Sequence, residues 1–369
     1  MEAVPAPFWF VQFFKVVGFV LHTIPMGIWF AGLPVVILCV LKNGKCSRFY
    51  ARRMSAQLPV MMALGINFGI VPLLFLQTTY YKAFFTATIL TAWYWLAIIP
   101  LVIIAYYSIY IAAYSGERRS RMILFSTLAS VCLLCVATLF TNGLTLMVCS
   151  GFWSEMATNT SYYGAVLGTA HCQQYPELSS ILWLRLATMF GLGLLTAGVW
   201  ATFDSHFLMR SQAVGVPANY RQWTTTLALV MAFFGAAILT YTEWHVKTVG
   251  GSLIYPYFGC VLAAAYAVVF VLLLSKTGSA LVVGFAAALQ FLTLAAFGII
   301  RQIGQNDGMA MFLDVSQLPE AVQWTPLLAF LAIFLLGVGV IVWMVVQCVK
   351  CADNPDVASH VPVKTGIPT

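Results

Sequence analysis

Long apolar runs alternate with short polar and basic connections along almost the whole chain. The first run extends from position 8 to position 41 and reads FWFVQFFKVVGFVLHTIPMGIWFAGLPVVILCVL. About 20 apolar residues are enough for a helix to cross a bilayer. The pattern predicts an all-α fold, a polytopic membrane helix bundle of about nine transmembrane helices. The predicted spans are 15–41, 58–80, 85–110, 122–148, 181–203, 223–241, 255–274, 280–300 and 326–346.

Composition excludes a soluble globular domain. The chain of 369 residues is 62% hydrophobic and 8% charged, with a mean hydropathy of +0.92, whereas ordinary soluble domains carry about 25% charged residues. The net charge of +7 comes from Lys and Arg in short connections between apolar runs. That distribution indicates membrane topology rather than nucleic-acid binding.

The basic connections predict the orientation. Lys and Arg follow the first, third and fifth predicted helices, and the intervening connections are poor in both. By the positive-inside rule, the N-terminus is outside and the C-terminus cytoplasmic, in the cell inner (cytoplasmic) membrane. Residues 1–347 form the predicted bundle, for which two four-helix halves plus a ninth helix is one arrangement, and residues 348–369 form a polar cytoplasmic tail. The basic residues are Lys42, Lys45, Arg48, Arg52, Arg53, Arg118, Arg119, Arg121, Arg210 and Arg221.

His22 is the principal candidate for chemistry, since it lies inside the first apolar run. An ionisable residue within a membrane span is costly and marks a functional site by default. A neutral imidazole inside a helix bundle is a common axial ligand of haem iron. The alternatives are a histidine hydrogen-bonded to a neighbouring helix and a proton relay.

Three further residues are candidates for holding a b-type haem. His245, at the end of the sixth predicted helix, is either the second axial ligand or an interfacial residue beside Trp244. Met189 is either a soft axial ligand or a packing residue. Arg185 either pairs with a haem propionate or extends to the interface.

Polar residues at the predicted outer face suggest a quinol pocket. Glu243 and Arg301 lie near the outer ends of the sixth and eighth predicted helices. A carboxylate there can take the proton that is released on quinol oxidation. Alternatively, these residues are loop positions that face water.

Other polar residues have structural interpretations. Asn67 and Gln290, within apolar runs, are predicted to hydrogen-bond between helices. Cys149 and Cys172 are predicted to lie outside, where a disulfide between them is compatible with an oxidising compartment. No CxxCH sequence occurs, so no c-type haem attachment is predicted.

Three stretches carry a resemblance to a known family. They are His22 with its following basic connection, LGINFGIVPLLFLQ in the second predicted helix, and LFTNGLTLM at the end of the fourth. Together they resemble subunit I of cytochrome bd-type quinol oxidases over about the first 150 residues. The resemblance implies that His22 ligates a b-type haem near the outer face, and MFGLG around Met189 is similar to the family's methionine helix in a different order along the chain.

The chain also departs from that family. Its third predicted helix has no carboxylate, its fifth has no histidine, and the long quinol-binding insertion after the sixth helix is absent. Oxygen reduction by this family needs several haems and a proton path, so these departures count against it and leave quinol-linked electron transfer.

The sequence therefore favours a b-type cytochrome subunit of a respiratory complex. It would exchange electrons between quinol or quinone and an external partner, such as a multihaem cytochrome c or another membrane subunit, and as an enzyme it would be an oxidoreductase. Its cofactors would be haem b and quinone, and membrane lipid would surround it. The alternatives are a cofactor-poor structural anchor or transporter derived from an oxidase subunit, and a true bd-type oxygen reductase subunit.

Overall fold

The computed structural model describes residues 3–116, 118–148, 150, 153–158, 176–209, 216–248, 258–274, 279–310 and 312–353. Those residues are 90% helical and contain no strand, which confirms the all-α prediction. The helices are α1 Phe8–Lys42, α2 Lys45–Thr79, α3 Tyr81–Thr91, α4 Trp93–Ala113, α5 Arg119–Val148, α6 Trp153–Thr158, α7 Pro176–Phe203, α8 Tyr220–Thr248, α9 Phe258–Leu274, α10 Ala280–Met309 and α11 Trp324–Asp353. A π-helical segment, Asp204–Leu208, continues α7.

Eight of these described helices are long and apolar enough to cross a membrane, namely α1, α2, α4, α5, α7, α8, α10 and α11. They indicate a multi-pass membrane protein. Helix α9 is apolar but only 17 residues long. The count of nine spans, the orientation and the division into two halves stay predictions.

Helices α1 and α2 are the longest of the described helices, and both are longer than predicted. Helices α1 and α2 have 35 residues each, or about 50 Å at 1.5 Å per residue, whereas the hydrocarbon core is about 30 Å thick. Helix α2 begins at Lys45, so Arg48, Arg52 and Arg53 lie in its first turns rather than in a loop. The first turns of α2 are polar and basic, so hydropathy does not detect them as part of the span.

The third predicted span, 85–110, is divided into α3 and α4. The break lies at Ala92, whose backbone has φ 46° and ψ −118°. This is a conformation that glycine adopts readily and alanine does not. No glycine or proline lies at the break, so the apolar pattern predicts one continuous helix.

Helices α1 and α7 occupy the centre of the bundle. Helix α1 packs against α2, α5, α7 and α10, and α7 packs against α1, α8 and α10. Small residues allow α1 and α7 to approach closely: a Cβ atom on Gly27 would lie 3.1 Å from the Cα atom of Gly193. Gln290 donates to Thr196 Oγ1 at 3.0 Å and thereby joins α10 to α7 as predicted, whereas Asn67 is exposed and donates to Ala63 within its own helix.

The two ends of the bundle differ in charge. We call the end where α1 finishes and α2 begins the basic end, because Lys42, Lys45, Arg48 and Arg119 lie there. We call the end where α1 begins the opposite end. There, the residues before α1 pair with those before α11: Val4 N–H donates to Pro319 O at 2.8 Å, and Ala321 N–H donates to Val4 O at 2.9 Å.

Candidate functional site on helix α1

His22 lies about four turns into α1 from its Phe8 end, closer to the middle of the helix than the predicted boundary implied. The side chain is half-buried and faces α2. Its Nδ1 atom lies 2.6 Å from the carbonyl oxygen of Gly65. A carbonyl oxygen only accepts hydrogen bonds, so Nδ1 carries the proton, and Nε2 of the neutral ring keeps its lone pair.

Two glycines of α2 make room for the imidazole. A Cβ atom on Gly69 would lie 2.8 Å from His22 Nδ1 and 3.0 Å from Cε1. A Cβ atom on Gly65 would lie 2.9 Å from Nε1 of Trp29. Gly65 and Gly69 are four residues apart, the spacing that brings membrane helices close together. The GINFG stretch therefore forms a surface on which His22 and Trp29 lie.

Lys15 lies two turns before His22 on the same side of α1. Only 4% of the residue is exposed. Its Nζ atom donates to Gln305 Oε1 on α10 at 3.2 Å and lies 4.0 Å from the centre of the Tyr80 ring. In the described part of the chain, Arg53 and Asp204 form an ion pair. No described carboxylate lies within ion-pair distance of Lys15. This ammonium group is held by an amide and an aromatic face.

A polar cluster surrounds Lys15. The Tyr80 hydroxyl donates to Asn306 Oδ1 at 2.6 Å and accepts from Gln12 Nε2 at 3.0 Å. Gln302 Nε2 donates to the same Asn306 oxygen at 2.9 Å. Burial raises the pKa of Tyr80, which lies between α2 and α3, to about 12, so the hydroxyl keeps its proton. The Lys15 cluster, comprising Gln12, Lys15, Tyr80, Gln302, Gln305 and Asn306, joins α1, α2 and α10 at the opposite end.

Arg301 extends the positive charge toward His22. Its guanidinium carbon lies 4.8 Å from the centre of the Phe19 ring, and Phe19 occupies the turn of α1 between Lys15 and His22. Gly298 allows this approach, since a Cβ atom there would lie 3.2 Å from the Phe19 ring. Two cations and an imidazole therefore follow one face of α1.

The other predicted site residues lie elsewhere. His245 is on α8, 3.3 Å from the Tyr241 hydroxyl, and α7 packs between α1 and α8. Glu243 faces α9, where its Oε1 atom would lie 3.6 Å from a Cβ atom on Gly259. Arg185 on α7 donates to Thr145 Oγ1 at 2.8 Å.

Met189 lies on α7, which packs directly against the helix of His22, whereas His245 lies on α8, on the other side of α7. Met189 packs against an apolar cluster that includes Phe19 and Val20 of α1. In the part of the chain that the structure describes, no group of three or more His, Cys, Asp and Glu side chains is placed to hold a metal ion.

Sequence reasoning missed two buried charges. Lys15 marks the start of the first predicted span, and its burial follows from α10 packing over it. Asp204 is 5% exposed and forms a bidentate pair with Arg53, with Arg53 Nη2 2.6 Å from Oδ1, while Gln57 Nε2 donates to Oδ1 at 2.6 Å. An acidic residue at the end of an apolar run was the available signal.

The proposed cysteine pair, Cys149 and Cys172, lies outside the described residues. Comparison of the chain with models of protein families, with characterised proteins and with solved structures finds no match.

Proposed function

We propose that the chain is a b-type cytochrome subunit of a respiratory complex in the cytoplasmic membrane, with its N-terminus outside. The observation that supports this most is the bond between His22 Nδ1 and Gly65 O. Histidines that ligate metals usually donate their other ring N–H to a carbonyl or carboxylate, which fixes the tautomer and orients the ring. His22 therefore has the form that an axial ligand of haem requires, with Nε2 as the coordinating atom.

The packing favours Met189 over His245 as the second axial ligand. Helix α7, which carries Met189, is in direct contact with α1, whereas α8, which carries His245, lies behind α7. Thioether sulfur is an established axial ligand in cytochromes. A haem bound at His22 would supply one-electron redox chemistry, and Arg185 is a candidate for a propionate.

The Lys15 cluster is the best candidate for the quinol site. It offers an ammonium group, a protonated phenol and four side-chain amides within the protein, and quinone oxygens accept hydrogen bonds from such groups. A buried cation also stabilises the anion that forms when a quinol loses a proton. Arg301 belongs to this site, whereas Glu243 on α8 lies apart from it. Electrons would pass from this cluster toward His22, and then to a partner such as a multihaem cytochrome c.

The test is a reduced-minus-oxidised visible spectrum of the full chain, extracted in mild detergent from cells that make haem, with the haem-to-protein ratio. We expect about one b-type haem per chain, lost on His22→Ala. His206→Ala is the matched control. His206 lies at the basic end, where its Nδ1 atom is 2.8 Å from the carbonyl oxygen of Thr202. An intact wild-type chain without haem absorbance, or an unchanged spectrum in the His22→Ala protein, would refute the proposal and favour a cofactor-poor anchor.

A further inference from the structure

The outward face of α2 carries an amide within the membrane span. Asn67 is exposed. It lies two residues from both Gly65 and Gly69 in the chain, and those glycines face α1. Two residues correspond to about 200° around an α-helix, so Asn67 faces away from α1. Its Nδ2 atom donates to Ala63 O at 2.8 Å, and its Oδ1 atom accepts no hydrogen bond from a residue that the structure describes.

An amide in this position needs a partner. A carboxamide offers two N–H donors and an acceptor oxygen. The hydrocarbon of a bilayer supplies no partner for them, and an unpaired polar group in it is costly. By contrast, the amides of Asn142 and Gln290 are buried within the bundle. Asn67 therefore indicates a face of α2 that another polar group covers in the membrane.

An apolar stripe runs along α2 through Asn67. Its members are separated alternately by four and three residues, the spacing of the seam in a coiled coil. They are Ala56, Val60, Ala63, Asn67, Ile70 and Leu74, which we call the α2 stripe. Val60 is 55% exposed, and Ile70 and Leu74 are each 46% exposed. From Ala56 to Leu74 the stripe is about 27 Å long, close to the ~30 Å of the hydrocarbon core.

We propose that the α2 stripe binds a second copy of this chain, in a dimer whose two-fold axis is perpendicular to the membrane plane. Copies of one sequence insert with the same orientation, so their α2 helices run parallel. Each residue near the axis then meets its own equivalent at the same depth. The two Asn67 amides face each other, and each Oδ1 atom accepts from the second N–H of the other Nδ2 atom.

This self-complementarity favours a second copy over another protein, whose helix would need a polar group at the same depth. A single Asn in a heptad seam also fixes the register of two helices. Ala56 and Ala63 are small enough for two helices to approach closely, and the larger stripe residues fill the space between them. His22 lies on the opposite side of α2, so each copy keeps its own contact between α1 and α2.

The experiment measures energy transfer between donor-labelled and acceptor-labelled copies of the full chain. The purified protein is reconstituted into phosphatidylcholine vesicles over a hundredfold range of protein-to-lipid ratio, with the fluorophores at the C-terminus. We expect transfer to rise with this ratio and to saturate at the level of two copies. Asn67→Leu should weaken association about tenfold, because the hydrogen bonds between the helices are lost, whereas Asn67→Gln, which keeps the amide, should retain most of it.

Thr138→Leu on α5 is the matched control. It also removes a polar side chain that bonds to a carbonyl of its own helix, Leu134 O at 2.8 Å, and its association should match the unaltered protein. In a second measurement, Ile70→Cys should form a disulfide between copies on oxidation. Val131→Cys, at a 53% exposed position on α5, should not.

Four outcomes overturn the proposal: monomers at every ratio, unchanged association of Asn67→Leu, equal weakening by Asn67→Leu and Thr138→Leu, or equal cross-linking of the two cysteine variants. Association only after another membrane protein is added also overturns it, since the stripe then binds a different subunit. None of these measurements uses haem absorbance, so their result is independent of the proposed cytochrome function.

Discussion

The ammonium nitrogen of Lys15 lies over the ring of Tyr80, 4.0 Å from its centre. A cation at this distance from an aromatic face is attracted by the ring, and the attraction grows when water is excluded. Together with the bond to Gln305, this contact holds a buried charge without a carboxylate from the described residues. The ammonium group can donate a hydrogen bond to an anion or to a quinone oxygen.

Replacing Lys15 by Met should lower the rate of haem reduction without lowering the stability of the protein. The side chain keeps its length and loses a buried charge whose desolvation is costly, so we expect the midpoint of thermal unfolding in detergent to stay equal or rise. Quinol-dependent reduction of the haem should fall about tenfold, because a charge-assisted hydrogen bond is lost. Lys42→Met, at the exposed end of the same helix, should change neither quantity. An unaltered reduction rate in Lys15→Met would remove the quinol site from this cluster.

Gly69→Ala should displace the His22 imidazole while leaving residue 22 a histidine. The new methyl group would lie 2.8 Å from Nδ1, so the ring must move and its bond to Gly65 must lengthen. We expect at least half of the haem to be lost on purification and a destabilisation of about 1–3 kcal/mol. Gly284→Ala is the control, because a Cβ atom there meets nothing within 4 Å, and alanine in a helix is favoured over glycine by up to about 1 kcal/mol. Full haem content in Gly69→Ala would contradict the proposed role of the Gly65 bond.

The Arg53–Asp204 pair should behave as one unit. Asp204→Leu leaves the Arg53 guanidinium, 26% exposed in its side chain, without its carboxylate, which should cost about 3 kcal/mol. The double variant Arg53→Met with Asp204→Leu should recover most of that loss, because neither charge remains. A cycle of thermal unfolding measurements checks this coupling. Additive effects of the two substitutions would show that the pair contributes no coupling.

Ala92→Gly should stabilise the protein. Alanine at φ 46° and ψ −118° costs about 1–3 kcal/mol of backbone strain that glycine avoids. The flexibility of glycine in the unfolded chain offsets part of this, so we expect a gain of about 1 kcal/mol. Ala105→Gly, a buried position within α4, should destabilise by at least about 1 kcal/mol. Chemical unfolding in detergent compares the two, and a loss of stability in Ala92→Gly would mean that the break between α3 and α4 is absent.

Local sequence identified His22 but not its surroundings. An imidazole within an apolar run stands out, whereas its contact with Gly65 depends on how α1 and α2 pack. Lys15 begins a predicted span, and only the placement of Gln305, 290 positions away, makes it a buried residue. The apolar pattern gives the helices because burial in lipid requires continuous apolar sequence.

Three further features could not be predicted from the sequence. Asp204 and Arg53 are 151 positions apart, and nothing in either neighbourhood indicates the other. Asn67 and Gln290 are both amides in apolar runs, yet only Gln290 faces another helix, since a pattern apolar on all sides does not reveal which face is inward. The break at Ala92 is invisible because alanine is the best helix former.

The short pairing of Val4 with Pro319 and Ala321 joins the residues before α1 to the residues before α11. During synthesis, Pro319 and Ala321 are made more than three hundred residues after Val4, so Val4 cannot form these hydrogen bonds until helices α1 to α10 have been made. A fluorophore pair placed on these two segments would report when a newly made molecule has closed.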